Sequence, residues 1–308
     1  MNFIRMNRQL LKIVDMIAIR LQNMRSVGLI EGKMEVILFY YELSKSIDDE
    51  TYNNIADNLL DEVFSEIGKI STNSIEQGLA GIGWGINYLI RNEFVEVTED
   101  ALIDLECNLF WGESVDFGIH FSMLSPAVYL LSKYGGKKML ENYDTYVLAL
   151  LNTCRYYCLS IYDNKKKPLD LINSMLYFLL ELKKQNVHVW ESDKLIWKIL
   201  TYLMDYKDIE KDIYGDTVIL FNLLHQMPDT TFLKKEVMAR LGNLKDKDWS
   251  IEAYRKILWQ QILFFQWSDN AIILDIDKLL YLIDNEKQNS KGIWAPLGIY
   301  LMNMNKIN

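Results

Sequence analysis

The sequence has few of the residues that build disulfide frameworks and metal sites. Only three cysteines and three histidines occur among its 308 residues. An odd number of cysteines in a chain of this length gives no disulfide framework, so a reducing cytoplasm fits best. Proline is also scarce, with four residues, so few positions break a helix.

The chain has fewer positively charged than negatively charged residues. The 33 lysines and arginines are outnumbered by 42 aspartates and glutamates, which gives a formal net charge of −9. Because binding to nucleic acid requires a basic face, this balance argues against a nucleic-acid partner. The only basic run, Lys165–Lys167, precedes Pro168 and is typical of a solvated loop.

No apolar run approaches the length of a membrane span. The amino-terminal segment is interrupted by five charged residues, namely Arg5, Arg8, Lys12, Asp15 and Arg20. This segment also has no small-residue cleavage site, so it is neither a signal peptide nor a spanning helix. We therefore expect a cytoplasmic protein with no membrane insertion.

Amphipathic helical periodicity is present along most of the chain. In "YNNIADNLLDEVFSEI" the apolar residues fall on one stripe, which predicts a helix. No alternating pattern bounded by hairpin turns occurs, so we predict an all-α fold. Further helices are expected at about 5–23, 34–46, 84–92, 97–109, 124–134, 139–160, 170–184, 192–205, 216–226, 231–243, 250–267, 275–285 and 293–303.

Turns followed by helices recur every 40 to 50 residues, about the length of two helices and their loops. Seven helical hairpins fit into the chain at this spacing. Several helices, such as 170–180, are apolar around most of their circumference, which favours burial between two layers. We therefore predict a single domain, 1–308, built as a closed α/α toroid of about seven inner and seven outer helices.

Glycine-marked segments give the chain a family resemblance. "GLIEGKMEVILFYYEL", "GLAGIGWGINYLI", "IYGDTVILFNLL" and "GIWAPLGIYLM" resemble the repeats of the lanthionine synthetase C-like (LanC-like) proteins of bacteria. The resemblance implies an α/α toroid. It also implies a zinc ion, bound by two cysteines and one histidine, that activates a peptide cysteine for thioether ring formation.

The zinc ligands of the family have no counterparts in this chain. Ile213 occupies the position of the first cysteine, and "DKDWSIEAYRKILWQQ" lacks the Cys-His pair expected about forty residues later. Isoleucine cannot ligate a metal. We therefore expect no zinc and no other cofactor. Glu35 also replaces a glycine of the first motif, which predicts a narrower central funnel.

The glycine-rich stretch 78–85 has neither a preceding strand nor the Lys-Ser/Thr pair of a phosphate-binding loop. We expect its glycines to allow turns and close helix approach, where a Cβ would collide with a neighbour. The predicted structural glycines are Gly28, Gly32, Gly78, Gly81, Gly83 and Gly85.

The remaining chemistry-bearing residues are open to structural and functional interpretations. Cys154 and Cys158 share a helix face, but with no third ligand nearby they fit buried apolar positions better than metal ligation. Cys107 also reads as a structural thiol. We expect His188 in a loop and His225 at a helix end, the latter suited to a carboxyl-terminal turn.

Five residues are candidates for the rim of the inner ring, namely Asp116, His120, Asp170, Tyr214 and Asp216. Aspartates at helix starts are typical caps, and an Asp116–His120 pair could orient a base. Two such carboxylates could also serve glycoside hydrolysis.

The first functional hypothesis is a zinc-free, non-catalytic LanC-like protein that binds a peptide or a partner modification enzyme. The alternative is an enzyme, either a divergent thioether cyclase or a carbohydrate-active α/α barrel.

Overall fold

The computed structural model describes residues 3–96, 102–111, 125–133, 143–160, 169–206, 215–228, 232–241, 249–264, 274–285 and 292–307. Every regular element in these ranges is an α-helix, which confirms the all-α prediction. The helices are α1 (Phe3–Leu21), α2 (Lys33–Ile47), α3 (Glu50–Ile67), α4 (Leu79–Arg91), α5 (Ile103–Trp111), α6 (Ser125–Lys133), α7 (Asp144–Ser160), α8 (Leu169–Lys184), α9 (Val189–Asp205), α10 (Asp216–His225), α11 (Phe232–Leu241), α12 (Ile251–Leu263), α13 (Ile276–Asn285) and α14 (Trp294–Ile307).

Burial alternates along this series of helices. Among the described residues, the seven even-numbered helices are buried over most of their length; in α4, for example, every residue from Leu79 to Leu89 is buried. The odd-numbered helices bury one face, as in α3, where Ala56, Leu59, Leu60 and Val63 are buried. A helix that is apolar all round needs neighbours on all sides, whereas an amphipathic helix covers a core on one side.

The chain forms two compact units. The first comprises Met1–Val115 together with Asn285–Asn308, and the second comprises Asp116–Asp284. None of the helices in the described ranges is long and apolar enough to cross a membrane.

In the first unit, α2 is the central helix. It packs against α3, α4 and α14, and α1 packs against α14. The approach of α14 to α2 is close at Gly298, where an added Cβ would lie 2.3 Å from Cε2 of Phe39. The last buried helix of the chain therefore packs directly on the first.

In the second unit, the buried helices pack in chain order. α8 contacts α6 and α10, and α10 contacts α12. The amphipathic helix α9 packs against its amphipathic neighbours α7 and α11. It also packs against the buried helix α8. Stacked rings of Tyr177 and Phe264, with centroids 3.8 Å apart, join α8 to the residue that ends α12.

Candidate functional site

Two of the five predicted rim residues fall within the described chain. Asp170 is the second residue of α8 and Asp216 is the first residue of α10. Asp116, His120 and Tyr214 lie outside the described residues, as does Ile213, the position of the family's first zinc ligand. The candidate site is therefore built around Asp216 and Asp170.

Asp216 is held by a salt bridge. Nζ of Lys256, on α12, lies 2.6 Å from Oδ1 and 2.7 Å from Oδ2 of Asp216. The carboxylate side chain is only 9% exposed. Gly215 precedes it with a φ of 80°, in the left-handed region that glycine occupies without strain. The turn at Gly215 thus places a shielded carboxylate at the amino terminus of α10.

Asn173 joins the start of α8 to the start of α10. Its Nδ2 donates to the backbone oxygen of Asp216 at 2.8 Å, and its side chain is fully buried. Asn173 lies one turn after Asp170, so this hydrogen bond brings the first turns of α8 and the start of α10 together. Both helices begin at the same end of the second unit.

Asp170 is engaged locally. Its Oδ1 accepts from the backbone N–H of Leu171 at 2.8 Å, and its backbone oxygen accepts from Oγ of Ser174 at 2.9 Å. These contacts resemble those of a helix-terminal aspartate with a structural role.

Buried amide oxygens occur on both α8 and α12. Oδ1 of Asn173 accepts no hydrogen bond from the described part of the chain, and the same holds for Oε1 of Gln260, one turn after Lys256 on α12. Asp216, Asn173 and Gln260 are thus among the polar residues buried in the second unit. Within the described residues, no three His, Cys, Asp or Glu side chains are grouped so as to hold a metal ion.

Lys256 and Asn173 were not predicted as site residues. Lys256 directly precedes a run of residues, 257–264, that is buried throughout, and a lysine at the edge of such a run is a signal for a paired charge. The identity of its partner, forty positions earlier, depends on how α10 and α12 pack and carries no local signal.

The two cysteines of α7 lie in surroundings that disfavour the reactive thiolate. Cys154 and Cys158 are both fully buried. Burial raises the pKa of the Cys158 thiol to about 12, against a lowering influence of Lys198, and burial also raises the pKa of Cys154. Thiolates are the nucleophilic and metal-binding forms, so this helix face is an apolar one. Cys107, in contrast, is exposed.

The two histidines within the described residues, His188 and His225, have structural partners. His188 begins the turn into α9 with a φ of 45°, and its Nε2 lies 2.6 Å from Oδ1 of Asp144 at the start of α7. The ring of His225 contacts that of Phe221 at 4.5 Å, edge to face, in the last turn of α10. His188 therefore links two helices, a role that its position in a polar loop did not indicate.

The predicted structural glycines lie where two loops of the first unit meet. An added Cβ at Gly28 would lie 2.6 Å from the backbone oxygen of Glu76, and one at Gly78 would lie 2.4 Å from that of Thr72. The backbone N–H of Ile30 donates to the oxygen of Glu76 at 2.8 Å. Loop 22–32 is therefore docked on loop 71–78 through backbone contacts that leave no room for side chains.

The remaining glycines extend this close packing into α4. An added Cβ at Gly81 would lie 1.9 Å from the oxygen of Ile75, and one at Gly85 would lie 2.5 Å from Cγ of Met34. At Gly32 the added Cβ would meet the backbone of Gly28 at 2.4 Å. Gly83 is a buried residue of the same helix.

Glu35 lies beneath the first of these loops. It is fully buried, and its carboxylate accepts from Nη1 of Arg20 at 3.0 Å and from the backbone N–H of Glu31 at 2.9 Å. Burial raises the pKa of Glu35 to about 7, although Arg20 and the Glu31 N–H both lower it. Glu31 has a φ of 60°, so Glu35 fixes a left-handed residue of the loop.

A polar cleft of about 310 Å³ opens elsewhere in the first unit. Lys45 lies at its wall, with Nζ 3.5 Å from the backbone oxygen of Asn92 and 5.1 Å from the ring centre of Phe94. Part of the acidic charge around this cleft is therefore balanced within the chain. The acidic residues that line it are Asp48, Asp49, Glu50 and Glu93.

Comparison with known proteins returns no relative. No family model matches the chain, and no curated protein or solved structure matches it.

Proposed function

We propose that this chain is a zinc-free, LanC-like α/α toroid that binds a peptide or a partner protein in a bacterial peptide-modification system without catalysing ring formation. The resemblance of the glycine-marked segments to LanC-like repeats is the reason for proposing a peptide-modification pathway. The arrangement of the helices supports the toroid, and the Asp216 site supports a non-catalytic function.

The toroid is supported by two features of the helices. Buried and amphipathic helices alternate along the described chain, as inner and outer layers require. In addition, α14 packs on α2, so the last buried helix meets the first one. Such a contact favours closure over an open solenoid, whose terminal repeats contact only their immediate neighbours.

The observation that carries the non-catalytic part is the pairing of Asp216 with Lys256. A carboxylate whose oxygens lie 2.6 and 2.7 Å from an ammonium group is engaged within the chain, which supports a structural role. At the same end of the unit, Asp170 is bonded to its own helix. The groups available there therefore stabilise the helix starts.

The experiment that tests this proposal uses a fluorescein-labelled peptide that contains one dehydroalanine and one cysteine. We expect its anisotropy to rise on addition of the protein, while mass spectrometry after alkylation still counts one free thiol. Loss of the alkylatable thiol, beyond that in a protein-free control, would show thioether formation and favour the divergent cyclase. No rise in anisotropy would contradict peptide binding.

Metal content provides a separate check. We expect protein purified without chelator and dialysed against metal-free buffer to carry far less than one zinc per chain. Stoichiometric zinc would reopen the cyclase hypothesis.

A carbohydrate-active enzyme is the second candidate, because Asp170 and Asp216 lie at the same end of the second unit. It predicts hydrolysis of chromogenic glycosides that is lost in both Asp170→Asn and Asp216→Asn. The proposed binding function predicts no turnover in the wild type or in either variant.

A further inference from the structure

We draw no further inference here: the strongest candidate, the acidic cleft between the end of α2, the start of α3 and the residues that follow α4, is a cluster of carboxylates at a helix start, where Asp49 caps α3 by accepting from the N–H of Thr51, and nothing else in the described part of the chain shows which ligand it would hold.

Discussion

Nη1 of Arg20 lies 3.0 Å from Oε1 of Glu35, and the Glu35 side chain has no exposure to solvent. The pair joins the end of α1 to the start of α2 and holds the loop between them through the N–H of Glu31. Burial disfavours the charged form of Glu35 by more than Arg20 and the Glu31 N–H stabilise it, since the pKa of Glu35 is raised to about 7. Glu35 therefore makes the stability of the first unit depend on pH.

The sign of this dependence follows from proton linkage. Because the pKa of Glu35 is higher in the folded state than the ordinary value of 4.5, the folded state binds the proton more tightly. Its contribution to stability is complete below about pH 4.5 and is lost as the pH rises through about 7. The full change corresponds to about 3 kcal/mol.

Glu35→Gln tests this linkage, because glutamine resembles the protonated acid. Urea unfolding at pH 4.5 and at pH 8.5 should show that the wild type loses about 3 kcal/mol relative to this variant as the pH rises. Glu31→Gln is the control. It keeps Glu35 and should retain the dependence at a slightly lower pH, since the charge of Glu31 also raises the pKa of Glu35. Equal pH profiles for the wild type and Glu35→Gln would refute the prediction.

Gly81→Ala should be strongly destabilising. The new Cβ would lie 1.9 Å from the backbone oxygen of Ile75, and a backbone atom cannot rotate away. We expect the free energy of unfolding to fall by about 3 kcal/mol or more. Gly68→Ala is the matched substitution, because Gly68 has a φ of −67° and no atom within 4 Å of an added Cβ. It should leave stability unchanged or raise it by about 0.5 kcal/mol.

This glycine-rich region also shows where local sequence reasoning failed. The predicted helix began at residue 84, whereas α4 begins at Leu79. Glycine has low intrinsic helix propensity, and three glycines in five residues suggested a turn. In the structure, Gly81 and Gly85 lie within α4. Because they have no side chain, the helix packs closely on Ile75 and Met34, and this packing stabilises the helical conformation. Tertiary contacts override propensity at these positions.

The all-helical character and the burial of individual helices follow from periodicity, because burial depends on how apolar residues are spaced. The apolar circumference of segment 170–180 predicted a buried helix, and α8 is buried from Leu171 to Leu180. The placement of Asp170 and Asp216 at helix starts was likewise predicted from the neighbouring sequence alone. Their contacts with Asn173 and Lys256 involve residues about forty positions apart, and such pairing is fixed only when the helices pack.

A buried hydrogen bond between α4 and α2 gives the next prediction. The hydroxyl of Tyr88 donates to Oε1 of Glu42 at 2.5 Å, and both side chains are buried. Tyr88→Phe removes one donor from a buried carboxylate, so unfolding free energy should fall by about 1.5–3 kcal/mol. A double-mutant cycle with Glu42→Met, which removes the acceptor, measures the coupling. Additive effects of the two substitutions would show that the hydrogen bond contributes nothing.

Thiol reactivity separates the three cysteines. Cys107 is exposed, whereas Cys154 and Cys158 are fully buried with raised pKa values. A chromogenic disulfide reagent at pH 8 should therefore titrate about one thiol per native chain and three in denaturant. Cys107→Ser should remove the native reaction. Rapid reaction of two or three native thiols would contradict the apolar interpretation of the Cys154–Cys158 helix face.

The Asp216–Lys256 pair distinguishes a structural from a chemical role for the Asp216 site. Because the carboxylate is shielded, Asp216→Asn and Lys256→Met should each lower the free energy of unfolding by about 1–3 kcal/mol. The double variant should lose less than the sum of these two losses, since it leaves no unpaired charge behind. If the pair only stabilises the start of α10, the double variant should bind the fluorescein-labelled dehydroalanine- and cysteine-containing peptide with the same Kd as the wild type. A double variant that is stable but has lost peptide binding would place Asp216 in the binding site itself. In that case the Asp216 carboxylate would recognise a basic group of the peptide.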